Sequence, residues 1–300
     1  MIVGEPETIP FNFQYDLGVQ YQVGRIVFDN PEQYAQYARN VIDVETGRAA
    51  MTRRAAFFSV THPDDYATDL ALKQLTIPVC ESLQRQLPGW QYDQIVGALA
   101  TKDALRATLS EKERASFLFV VAHGLMNNPA EPQHTMRQGT VLCADWPGRG
   151  PIIDDHLFAA ADVDPSWDLR GLVVWLFAKC GVGTPDMSDF TRGRTGTSEP
   201  EARRSSISQL AKRLLGRRDG ALAVIGHVDT TWSTSFMWPR VGPQTDTARR
   251  CGASNVALSR TGSEPGNGGW NGSCDDPGAR EPEDSCRGFA GLRRSPPRAG

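Results

Sequence analysis

The chain is poor in cysteine: six in 300 residues, irregularly spaced and with no Cys-x-x-Cys pair. That excludes a disulfide framework and points to a reducing compartment. Its five histidines form no His-Glu-x-x-His motif and no Cys/His ligand set, so neither a metal nor a cofactor is expected. An excess of charge of one sign is also missing. The net charge is −3, which leaves no electrostatic footprint for nucleic acid or an anionic membrane. Arg203-Arg204 and Arg217-Arg218 read as local, solvated pairs. Long apolar runs are absent, the longest being strand-sized, which argues against a membrane span. Met1 to Glu7 has neither a charged start nor an apolar stretch, so no leader is expected and the placement is cytoplasmic.

With 40% hydrophobic and 22% charged residues, the chain has the composition of an ordinary globular protein. Two regions differ in character. Residues 1–240 alternate apolar runs with helical patterns, and residues 241–300 hold 11 glycines and 6 prolines with no apolar period. The first region reads as one domain and the second as a disordered or aberrant tail. Within the first, Val19 to Phe28 reads as a strand and Pro31 to about Glu45 as a helix, capped by Asn30. Ala55 to Val60 is a buried strand. Asp64 or Asp65 caps one long helix running to about Leu87. Tyr92 to Val96 is a strand and Lys102 to about Glu113 a helix with Leu105 and Leu109 on one face. Thr140 to Ala144 is a strand, and Asp154 or Asp155 opens a short helix to about Ala161. Leu172 to Ala178, Ile207 to Leu215 and Gly220 to Gly226 read as strand, helix and strand. The alternation predicts an α/β fold with a mostly parallel sheet and right-handed crossovers.

Two strands end abruptly in reactive side chains. Val120-Val121-Ala122 runs into His123-Gly124, and Val173 to Ala178 runs into Lys179-Cys180-Gly181. In an open α/β sheet, ligands bind outside the carboxyl ends of the strands. Were the two strands neighbours, Cys180 would be a nucleophile with His123 as its base. The N–H of Gly124 and that of Cys180 or Gly181 would then be oxyanion donors. The alternatives are a small buried thiol and a core histidine. His227 ends another strand and reads as a substrate contact on the same edge. Trp232, in the run Thr230 to Phe236, is either a substrate wall or packing. His62 stands next to Asp64 and Asp65, which can orient an imidazole. His134 and His156 read as surface. Gly181-Val182-Gly183 lacks the third glycine of a dinucleotide loop, since Asp186 stands there, and Val60-Thr61-His62-Pro63 offers no phosphate loop.

These blocks resemble clan CD cysteine peptidases, closest to the gingipain-type family and more distantly to caspases and CHAT domains. The resemblance rests on Val23 to Phe28 with Glu45-Thr46-Gly47, on Ala122-His123-Gly124, and on Ala178 to Gly183 followed by Gly220 to Gly226. It spans roughly residues 19–240. The 57-residue interval from His123 to Cys180 is close to the caspase spacing, and the order is opposite to that of papain-like enzymes.

The resemblance implies a caspase-like three-layer sandwich and a cysteine endopeptidase acting on protein or peptide substrates through a thioester. His123 is then the base, Cys180 the nucleophile and Gly124 an oxyanion donor. Cleavage after basic residues is suggested by gingipain analogy, with Asp145, Asp155 or Asp229 as the pocket carboxylate. The polar loop 184–204 resembles a processable linker with Arg192, Arg194, Arg203 and Arg204 as cleavage points. Two departures matter. Members often read Ala-Cys-x-Gly, and without a gap that pattern puts Lys179 at the nucleophile position. Read as Cys-x-x-Gly183, it puts Cys180 there, as in CHAT-type sequences. Family domains also continue through further helices where this chain has its Gly/Pro-rich tail. The alternative expectation is therefore a catalytically inactive, caspase-like interaction module that binds partner proteins.

Overall fold

The computed structural model describes residues 1–111, 114–125, 137–188, 204–231, 233, 236–238, 242–243 and 256–257. All fall in one compact unit, Met1–Gly262. A short β1 (Ile2–Val3) and helix α1 (Phe11–Gly18) precede β2 (Arg25–Ile26), which pairs in parallel with β1. Then follow α2 (Pro31–Glu45), β3 (Arg54–Val60), α3 (Tyr66–Ala71), a π turn (Leu72–Thr76), α4 (Ile77–Gln86), β4 (Gln91–Gly97), α5 (Lys102–Ser110) and β5 (Phe117–Val121). After β6 (Val141–Leu142), β7 (Leu157–Phe158) and β8 (Val173–Phe177) come β9 (Gly183–Thr184), β10 (Ser206–Ile207), α6 (Gln209–Leu215) and β11 (Ala223–Gly226). Short strands β12 (Met237–Trp238), β13 (Gly242–Pro243) and β14 (Val256–Ala257) complete the order.

The central sheet runs β4-β3-β5-β8-β11-β14. Its first five strands are all parallel, and β14 closes the edge antiparallel to β11. Both faces are covered, so the strands are apolar on both sides. Phe58, Val60, Leu118, Val120, Val174, Leu176 and Val224 face one core, shared with Tyr37 of α2, Leu105 and Leu109 of α5, and Leu210 and Leu214 of α6. Phe57, Phe119, Val121, Trp175 and Phe177 face the other, under Ala71, Leu75 and Cys80 of the α3–α4 arm. Phe57 and Phe58 are wholly buried on opposite faces, and each contributes on the order of 2 kcal/mol by burial. The result is a helix–sheet–helix sandwich of the expected α/β class. No helix among the described residues is long and apolar enough to cross a membrane.

Several elements differ from the sequence expectation. The helix expected from Asp64 or Asp65 to Leu87 is broken by the π turn. Pro78, near the start of α4, has no N–H to give and its ring clashes with the carbonyl four residues back, so the chain widens there. Thr76 uses the bulge to donate its hydroxyl to Ser59 Oγ, 3.0 Å away and buried. The short helix expected at 154–161 is two 3-10 turns around β7. Leu157 and Phe158 are both buried, a demand met by extended pairing with β6 rather than by a helix. Of the strand expected over Val19 to Phe28 only Arg25–Ile26 is extended, and α1 forms ahead of it. Val256–Ala257 lies within the stretch read as tail, and residues 258–300 lie outside the described residues.

Candidate functional site

The chain leaves β3 to form β4 on one side and returns, through α5, to place β5 on the other. The crevice between the carboxyl ends of β3 and β5 is therefore a topological switch point, where open α/β sheets bind ligands. The tail of β3 supplies His62 and Asp65 there, and the tail of β5 supplies His123.

His123 is the open member of this group, its side chain 45% exposed. Its Nε2 lies 2.5 Å from Asp65 Oδ2. Asp65 is also the N-cap of α3, its Oδ1 accepting from the Ala67 N–H at 3.0 Å. Burial alone would raise the Asp65 carboxyl, but the His123 bond and charge together with the bonds from Thr68 offset it and hold it below the ordinary carboxylate range. The turn that aims Asp65 is tight. The Asp65 N–H donates to His62 O across Pro63 and Asp64, and Asp64 takes a φ of 61°. A proline followed by a left-handed residue is the geometry of a type II turn. The sequence suggested a cap at Asp64 or Asp65 and both as carboxylates able to orient His62; the cap is Asp65, and the imidazole it reaches is His123.

His62 lies beneath, 5% exposed. Its ring is parallel to that of His123, with an interplanar angle of 6° and centroids 6.3 Å apart, and Trp146 meets it edge-on at 5.0 Å. Its Nδ1 is 3.1 Å from the Trp146 carbonyl. Burial pushes its pKa down.

The next boundary, between β5 and β8, is sealed by backbone. Val121 pairs with Phe177, and the Ala122 N–H donates to Phe177 O, so His123 stands level with Lys179. Gly124 lies against the Lys179 peptide: a Cβ there would sit 1.8 Å from Lys179 O. Only glycine allows that approach, which explains why glycine follows the histidine. Gly124 is bridged to Val141 through its neighbours, by Leu142 N–H to His123 O and Leu125 N–H to Thr140 O, leaving its own N–H out of that ladder.

Cys180 is placed differently. It sits at the third position of a turn closed by the Gly181 N–H on Ala178 O, with a φ of 55°. Its relative exposure is 0%. Its N–H donates to Asp229 O at 3.0 Å, toward β11 and away from β5. Gly139, itself left-handed, packs against the Cys180 carbonyl. Both N–H groups expected as oxyanion donors here, those of Cys180 and Gly181, are thus already engaged.

The remaining candidates are held as scaffold. Asp229 Oδ1 accepts from Ser188 Oγ at 3.1 Å and from the Thr230 N–H at 2.6 Å. His227 packs edge-on against Phe177 at 4.9 Å, and burial pushes its pKa down to about 4. Asp145 accepts from the Lys102 N–H at the start of α5. Asp155 is exposed, and His156 Nδ1 accepts from the Ile153 N–H. Trp232, His134, Arg192, Arg194 and Arg203 lie outside the described residues, and Arg204 pairs with Glu7 at 3.5 Å. Among the described residues no group of His, Cys, Asp and Glu side chains is arranged to hold a metal.

No protein-family model matches the chain, and no curated protein matches it in sequence.

Proposed function

We propose that the chain is a caspase-like scaffold that serves as a protein-interaction module, with the peptidase edge retained and the thiol withdrawn from it. The observation that carries this is Cys180: wholly buried, in a left-handed turn, its N–H bound to the Asp229 carbonyl just beyond β11. A thiol nucleophile must be accessible and near its base. Here the residue level with His123 is Lys179, an amine where a thiolate would be needed. The paired imidazole and carboxylate at the switch point, with His123 nearly half exposed, are then the surface offered to a partner's peptide segment.

The rival reading, a cysteine endopeptidase using His123 and Cys180, draws on one observation. The His123–Asp65 pair has the form of an oriented general base. The test is labelling of the folded chain with a peptidyl electrophile carrying a basic residue, followed by mass spectrometry. We expect no adduct, and Cys180 protected from a generic alkylator until the chain is unfolded. An adduct on Cys180 that disappears in His123→Ala would overturn the module and establish the peptidase. Lys179→Cys is the informative companion: a thiol at that position should alkylate faster than Cys180 and do so in a His123-dependent way.

A further inference from the structure

We infer that His62 is a positioning residue for His123: a buried imidazole fixed in one tautomer, whose ring plane holds the His123 ring in line with Asp65. This deepens the reading above. It rests on His123 being the working group of the edge and does not depend on whether Cys180 reacts.

The tautomer follows from the partners. A carbonyl can only accept, so His62 Nδ1, 3.1 Å from Trp146 O, must carry the hydrogen. Nε2 is then a bare lone pair. It is buried and has no hydrogen-bond partner among the described residues. Adding a proton there would create a buried cationic N–H with no acceptor, so the ring stays neutral.

The position is over-determined. The His62 N–H faces Thr68 Oγ1 at 3.4 Å, its carbonyl accepts from the Asp65 N–H, and Trp146 packs on the ring edge. Trp146 is itself tied by its indole N–H to Gly150 O at 3.2 Å. Among the described residues His123 has no comparable support. Its side chain is nearly half exposed, and the one hydrogen bond its ring makes there, to Asp65, would leave it free to swing about that contact. The parallel face of His62 supplies the missing constraint, and the same turn that places His62 places Asp65.

Among the described residues the charges around the pair are few. On the β3 side they are Asp65 and the exposed Asp64. On the β5 side His123 is the group that acts on His62, and beyond Gly124 stands Lys179. Across Trp146 lies Asp145, engaged with the Lys102 N–H. When His123 gains a proton its charge is met by Asp65, and it further disfavours a charge on His62.

The test uses the full chain labelled with nitrogen-15 and long-range proton–nitrogen correlation spectra of the histidine rings, between about pH 5 and 8. His62 should show a single Nδ1–H tautomer unchanged across the range, while His123 shows a slowly exchanging proton on Nε2. In His62→Ala that proton should exchange about tenfold faster or more, the loss expected when an aligned hydrogen bond to a charged group is released. His62→Phe keeps a flat ring and should restore most of the protection. Titration of His62 within the range, equal protection in His62→Ala and the unaltered chain, or equal loss in the Ala and Phe variants would overturn the assignment. The tautomer is read on the unaltered chain, so it stands even if a variant fails to fold. Cys180 alkylation in the same samples reports separately on the function proposed above.

Discussion

The two stretches of the sheet's carboxyl edge handle polar groups in opposite ways. At the β3/β5 boundary a carboxylate and an imidazole bond each other near solvent, over a second imidazole set in a strained turn. At the β8/β11 boundary the polar groups are spent on one another: the Cys180 N–H on Asp229 O, and the Asp229 carboxylate on the Ser188 hydroxyl and the Thr230 N–H. His227 there is a core ring against Phe177. The first stretch keeps side chains available for a ligand, and the second locks the strand ends together. Strands that look alike in sequence, each an apolar run ending in a reactive residue and a glycine, can thus part in role through one backbone turn.

The largest blow to the comparison should come from Gly124→Ala. The methyl has no space beside the Lys179 peptide, so β5 and β8 must part at their ends. We expect a loss of about 3 kcal/mol in urea unfolding, with a changed His123 environment. Acid should then separate the two stretches. His227 has a folded pKa near 4 against an ordinary 6.5, so the unfolded chain takes up its proton first. The stability it contributes is complete above about pH 6.5 and falls by up to about 3 kcal/mol as the pH drops to 4. His227→Phe should flatten that slope. Asp65 has the same sign in a lower window: its carboxyl is depressed, so its contribution is present above the ordinary carboxylate value and is lost only as the pH falls below it. Asp65→Ala should cost about 1 kcal/mol through the lost cap and release the His123 ring, visible in its spectrum. The smallest effect should be Asp64→Gly, within about 0.5 kcal/mol in unfolding, because relief at a φ of 61° is offset by the freedom glycine adds to the unfolded chain.

Much of the framework was legible beforehand because buried parallel strands are apolar on both faces. Ala55 to Val60 and Val173 to Ala178 announce themselves in that way. Asn30-Pro31 marked the start of α2 because cap and first-turn chemistry are local. The site was legible only in outline. His123 could be placed at a strand end, but the register of Lys179 and Cys180 depends on a left-handed turn that no apolar pattern encodes. Asp65 was one of two visible cap candidates, with Asp64; its second bond reaches 58 residues along the chain and depends on strand order. The π turn escaped because the helical period continues on both sides of it.

That π turn ties together parts of the molecule that are far apart in sequence. A wider turn inserts extra rotation between the helices on either side, so the azimuth of α3 is offset from that of α4. Asp65 caps α3, whereas α4 is anchored by the apolar core beneath it. The bearing on which the carboxylate meets His123 is therefore tied to Pro78, half-buried and thirteen residues downstream. A ring closure at one proline acts as the trim screw for a contact it never touches.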